Sequence, residues 1–143
     1  MKTLQHLHIM IKAQVRDPKA LSLHGLHNWA EAVVVNQDLV PVAGPFVTMI
    51  DDKGNEGPTG GVHIKTSHFA FHIWDNLGVI QADLYTCGEL DVPAFINEFM
   101  LFEPTEITYM VMDRQDGFQI LEAGTITEEH LDEMLGHEPQ TLN

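Results

Sequence analysis

The sequence predicts an α+β fold, a two-layer sandwich in which an antiparallel sheet carries its helices on one face. Three observations predict it. Period-2 alternation recurs in several runs joined by turn chemistry rather than by crossover helices. Only two segments show a strong helical period. The element order is β-α-β-β-β-α-β-β with a short terminal helix, which sets strands beside one another in the chain and favours hairpins over parallel units. A chain of 143 residues suits one domain, spanning residues 1–143, with a sizeable core.

Residues 4–15, LQHLHIMIKAQV, form the first expected strand, with His6, His8, Met10 and Lys12 on one face and Leu7, Ile9, Ile11 and Ala13 on the other. Two histidines at i and i+2 can ligate a metal. No Cys, Asp or Glu stands at ligand spacing beside them, so a partly exposed strand face is expected and no metal. Asp17-Pro18 reads as a helix cap followed by proline at the first helical position. Leu23, Leu26, Trp29, Ala30 and Val33 continue that helix to about residue 34, with Trp29 in the core.

Residues 39–50 are extended but broken by Pro41 and Gly44-Pro45, which suits an edge strand. Residues 51–61, DDKGNEGPTGG, read as a turn-rich loop. No Gly-Lys-Ser/Thr follows it, so it is not a phosphate-binding P-loop. From Val62 a strand runs on through Trp74, and Asp75-Asn76-Leu77-Gly78 turns it into another at Val79–Tyr85. Asp91-Val92-Pro93 opens a second helix whose apolar face holds Phe95, Ile96, Phe99 and Met100. Strands at Glu106–Asp113 and Phe118–Glu122 flank a turn at Arg114-Gln115-Asp116-Gly117, and a short acidic helix is expected near 127–135.

Composition narrows the function classes. The formal net charge is −14 with only seven Lys and Arg residues, which disfavours a nucleic-acid partner. Such acidity favours a cationic ligand by steering, or serves solubility alone. No apolar run reaches the ~18 residues of a membrane span, and the N-terminus lacks the pattern of a signal peptide. The single cysteine excludes an internal disulfide and fits a reducing cytoplasm.

Chemistry concentrates in residues 66–88. Ser67, Phe69 and Phe71 share one parity, while His68, Ala70 and His72 share the other. A hairpin here is expected to bring Ser67, His72 and Cys87 towards one neighbourhood. A hydroxyl, an imidazole and a thiol together suit covalent chemistry. By spacing alone, a packed serine, strand histidines and a buried thiol account for the same residues.

The wording of the segment SHFAFHIWDNLGVIQADLYTCG adds to this. It resembles the processing segment of the pyruvoyl-dependent S-adenosylmethionine decarboxylases in their short prokaryotic form. That family reads Ser-His-(x)3-His-x-Trp in one strand and Asp-(x)2-(Ser/Thr)-Cys-Gly in the next. The resemblance is specific over residues 57–88 and looser along the rest of the chain.

It implies that Ser67 attacks the carbonyl of Thr66 and converts the peptide bond to an ester. Elimination then splits the chain between Thr66 and Ser67 and leaves a pyruvoyl group, made from Ser67, at the head of the downstream piece. It implies His72 as the maturation base, Thr59 as a hydroxyl assisting the same step where the family usually has serine, and Cys87 as the proton donor to the decarboxylated substrate. His68 matches the pattern without an assigned step. A homodimer, a role in polyamine and spermidine synthesis and no metal are implied as well.

Substrate residues match less well. Thr66 stands where the family commonly has Glu, but its carbonyl rather than its side chain reacts. Asn76 stands where a Glu holds the ribose hydroxyls, and Lys53 near the place of an adenine-stacking aromatic. Asn76, Phe69 and Glu56 are the candidate substrate-binding residues, with Asp75 a further charge for a cationic tail. The small-molecule substrate is then S-adenosylmethionine, or ornithine or arginine on the same scaffold. An unprocessed binding homologue is the remaining reading.

Overall fold

The computed structural model describes residues 6–133 of the chain. It is an α+β fold with seven strands in one sheet, in the order β2-β3-β4-β5-β1-β6-β7, every neighbouring pair antiparallel. The strands are β1 (Leu7–Val15), β2 (Pro41–Ile50), β3 (Gly57–Ile64), β4 (Ser67–Trp74), β5 (Val79–Thr86), β6 (Pro104–Asp113) and β7 (Gln119–Thr127). Helix α1 spans Leu23–Val35, α2 spans Val92–Asn97, and a 3-10 turn follows at Met100–Phe102. No helix among these residues is long and apolar enough to cross a membrane.

Both helices lie on one face of the sheet. Along β4 burial alternates strictly, with Ser67, Phe69, Phe71 and Ile73 buried and the residues between them partly exposed. Trp29 of α1 meets Phe69, Phe71, Phe99 and Phe102 edge to face at 5.2–5.6 Å, and its indole N–H donates to the Glu98 carbonyl at 2.8 Å. Aromatic pairs in this geometry contribute beyond the area they bury. Ile9, Ile11 and Ala13 of β1, Ile80 and Leu84 of β5 and Phe95 of α2 complete this core. Among the described residues, no helix lies over the opposite face.

Several expectations about element bounds are corrected. Residues 62–74 are not one strand and 51–61 not all loop: β3 begins at Gly57, and Lys65-Thr66 form a two-residue turn into β4, with Ile64 opposite Ser67. The glycines mark close approach of backbones rather than a loop. A Cβ at Gly60 would lie 2.6 Å from the Phe46 carbonyl oxygen and 2.7 Å from the Phe71 ring.

The first helix does not start at Asp17-Pro18. Its cap is Ser22, whose hydroxyl accepts from the Gly25 N–H at 3.0 Å, while Asp17 is tied by its own N–H to the Phe102 carbonyl. The second helix ends at Asn97 rather than continuing to Met100, although Asp91 caps it as expected by accepting from the Ala94 N–H. Strand β7 runs to Thr127, and residues 128–133 are helical; the remainder of the expected terminal helix and the first residues of the 4–15 strand lie outside the described residues.

Candidate active site

The Thr66–Ser67 bond sits at the apex of the β3–β4 hairpin. Thr66 is exposed and Ser67 is 9% exposed, its side chain on the core-facing parity of β4. The two hydroxyl oxygens are 3.5 Å apart. The tight turn follows from register: the Ile64–Ser67 pair leaves only Lys65 and Thr66 to reverse the chain. Neither residue has a positive φ, so the turn is not the I′ or II′ type usual for two-residue hairpins.

Cys87 follows the last residue of β5 and comes to the same apex. Its thiol donates towards the Thr66 carbonyl oxygen at 3.8 Å, and Sγ lies 3.5 Å from His6 Nδ1. The neighbouring Thr86 is fully buried and its Oγ1 accepts the Gly88 N–H at 2.9 Å, which fixes the chain as it leaves the sheet.

His72 is not part of this cluster. It lies five residues along β4 from Ser67, roughly 17 Å at ~3.3 Å per residue, and on the opposite face. Its Nε2–H donates to the Asn55 carbonyl at 3.1 Å, and its ring stands edge-on to Trp74 at 4.3 Å. Thr59 is its cross-strand partner, donating to the Phe71 carbonyl at 3.3 Å. The expectation that one hairpin gathers Ser67, His72 and Cys87 is therefore corrected: parity and strand rise keep His72 away within one chain.

The substrate-binding candidates divide similarly. Asn76 is exposed in the β4–β5 turn, and Glu56 accepts the Gly54 N–H at 2.9 Å through its carboxylate and the Asp75 N–H at 3.0 Å through its carbonyl. Both lie at the His72 end of the sheet. Phe69 is corrected: it is fully buried against Trp29 and Phe95, so its ring has no surface for a ligand.

The uncovered face holds a polar cluster that sequence reasoning missed. Asp83 Oδ2 lies 2.7 Å from both His8 Nε2 and His68 Nε2, bridging β1, β5 and β4. Burial pushes its carboxyl up, but the hydrogen bonds and charges of His8 and His68 together outweigh that and hold it below the ordinary 3.8. An ionised carboxylate only accepts, so both imidazoles donate through Nε2. Arg114 Nη1 lies 3.2 Å from His8 Nδ1, which accepts from it.

These three ligand atoms lie within 4.8 Å of one another, a spacing that could hold a metal ion. The guanidinium on His8 sets a cation where a metal-bound imidazole usually finds an acceptor. Arg114 also covers the Tyr85 ring at 4.1 Å. Burial first, then the neighbouring Cys87, hold the Tyr85 phenol above its ordinary value against the pull of Arg114. The missed signal was cross-strand: β1 pairs with β5, 75 positions away, so no local spacing joins His8 to Asp83. A groove of about 510 Å³ runs from this cluster along the same face to Thr59, His72 and Trp74.

The chain is similar to known proteins. The family model described as S-adenosylmethionine decarboxylase matches residues 8–115. An S-adenosylmethionine decarboxylase proenzyme of Picrophilus torridus is 35% identical over 74 residues, covering 50% of this chain and 55% of the relative. An arginine decarboxylase proenzyme of Aeropyrum pernix is 33% identical over 87 residues, covering 57% of this chain and 66% of the relative. The chain spans about half the length of the curated relatives it matches. A crystal structure of adenosylmethionine decarboxylase from Aquifex aeolicus superposes with a TM-score of 0.67 at 21% identity, over 86% of this chain and 99% of that one, a likeness of fold.

Proposed function

The chain belongs to the S-adenosylmethionine decarboxylase family, and from that premise we propose that it is a self-processing, pyruvoyl-dependent decarboxylase acting on S-adenosylmethionine. One observation carries the reading. The Thr66–Ser67 bond lies at an exposed hairpin apex with the only thiol of the chain 3.8 Å from the Thr66 carbonyl oxygen. That arrangement suits a bond to be rearranged and, after cleavage, a new chain terminus next to a proton donor.

Maturation uses this chain's own atoms. The Ser67 hydroxyl adds to the Thr66 carbonyl carbon, the C–N bond breaks to leave an ester, and loss of the Ser67 Cα proton expels the Thr66 carboxylate. The resulting dehydroalanine takes up water and releases ammonia. The pyruvoyl group so formed supplies the electrophilic carbonyl that a decarboxylation needs as electron sink. Cys87 holds the proton destined for the product carbon.

His72, the proposed maturation base, and Thr59, its hydroxyl partner, stand too far from Ser67 to act on it in their own chain. A homodimer, which the family resemblance implies, reconciles the separation. Across the uncovered face, the His72 end of one copy meets the Ser67 end of the other. Glu56 and Asn76 then contribute from the His72 end to the same composite pocket. The net charge of −14 draws a cationic substrate to it, and a reducing cytoplasm keeps Cys87 a thiol.

Arginine is the second reading, favoured by the arginine decarboxylase proenzyme among the relatives and by Asn76 and Lys53 at the nucleoside-binding positions. Carbon dioxide release from carboxyl-labelled S-adenosylmethionine, arginine and ornithine decides between them. Release from S-adenosylmethionine supports the proposal, release from arginine alone replaces the substrate, and release from none of the three overturns the decarboxylase.

A further inference from the structure

His6 belongs to none of the roles given above, yet its ring stands against the thiol. Nδ1 lies 3.5 Å from Cys87 Sγ and 3.0 Å from the Tyr85 hydroxyl. The imidazole and phenol rings stack with centroids 6.4 Å apart. The backbone holds it there: the His6 carbonyl accepts the Arg114 N–H at 2.7 Å, and the Arg114 guanidinium covers the Tyr85 ring. The imidazole is thus tied from both sides at the start of β1, next to the residue that must give up and regain a proton.

Resting on the decarboxylase reading, we propose that His6 is the proton-exchange partner of Cys87, so that the imidazole–thiol pair handles the proton. When the sulfur must act as an anion, its S–H bond breaks, the electron pair stays on sulfur and the proton bonds to the Nδ1 lone pair. When the thiol must be restored, the Nδ1–H bond breaks and the proton returns to sulfur. The imidazolium and the thiolate form an ion pair, so the transfer leaves the net charge of the two groups unchanged.

Tyr85 serves both states of the ring. Its hydroxyl donates to Nδ1 when that nitrogen holds a lone pair and accepts from it when protonated. His6 acts through Cys87 and is a positioning and relay residue rather than a catalytic one.

The test uses the chemistry of the sulfur, not turnover. Cys87 is the only cysteine, so alkylation by iodoacetamide reports on it alone. In the full-length Ser67→Ala protein, which forms no pyruvoyl group, His6→Gln is expected to slow alkylation near neutral pH on the order of tenfold. Free imidazole should restore the rate in His6→Ala. Equal rates with and without His6, or slow rates that imidazole does not restore in either variant, would overturn the proposal. Failure of the decarboxylase reading would show separately, as an uncleaved wild-type chain, and leaves the alkylation result to judge His6.

Discussion

At its Ser67 end β4 meets a thiol, a phenol and the His6 and His68 rings; at its Trp74 end it meets one imidazole, the Thr59 hydroxyl and the 51–56 loop. Under the proposed function, the first end holds the bond to be broken and the group to hold a proton, and the second holds the base and the candidate substrate contacts. They share a strand but not a neighbourhood, because the eight-residue length of β4 sets its two ends several side-chain lengths apart. A motif contiguous in sequence is thus divided in space, and under the proposed function its two parts are complementary halves of a site that a second copy completes.

The largest effect is expected at the serine. Ser67→Ala should leave the chain uncut and inactive, and any cleavage of that variant would remove Ser67 from its role. Cys87→Ala should still be cut but lose turnover on the order of 10²-fold; full activity would show that another group handles the proton.

Mixing variants probes the division itself. Ser67→Ala and His72→Ala chains should each remain uncut alone. Expressed together in equal amounts, about half of the His72→Ala chains should be cut, because each mixed dimer rebuilds one complete site. No cleavage in the mixture would confine both halves to one chain.

Smaller effects separate core from face. Phe69→Ala should cost about 3 to 5 kcal/mol of stability in a denaturant titration, as a buried ring leaves a cavity. A loss of substrate affinity at unchanged stability would instead restore it as a contact. Asp83, with its folded value depressed, stabilises the fold above the ordinary 3.8, and that contribution fades as the pH falls through the lowered value. Melting temperature should drop more steeply in the wild type than in Asp83→Asn over roughly pH 5 to 3.

Much of this was legible in the sequence. Alternation along β1 set Ile9 and Ile11 on the face away from the partly exposed histidines, and helical spacing placed Trp29 in the core, where the structure has them; along β4 it gave Phe69 and Phe71 one parity but not their burial. Tertiary geometry was not legible. The glycines at 57, 60 and 61 read as loop because flexibility and close packing use the same residue, and only the close approach of Ile73 to Gly57, of Phe46 and Phe71 to Gly60 and of Phe69 to Gly61 distinguishes them. Ser22 displaced Asp17 as helix cap because Asp17 is held to Phe102, a contact 85 positions distant.

The His8–Asp83–His68 cluster and the His6–Cys87 contact arise where β1 inserts between β5 and β6. No local pattern encodes that insertion. Parity set Ser67 and His72 on opposite faces of the strand, and five strand residues separate them by roughly 17 Å at ~3.3 Å each. The expectation of one neighbourhood overlooked both.

The most direct test of the self-cleavage claim is the intact mass of the purified protein under denaturing conditions. Two fragments are expected, one ending at Thr66 and one beginning with a pyruvoyl group in place of Ser67. A single unbroken chain would contradict the self-processing decarboxylase and leave a binding homologue that keeps the fold without the chemistry.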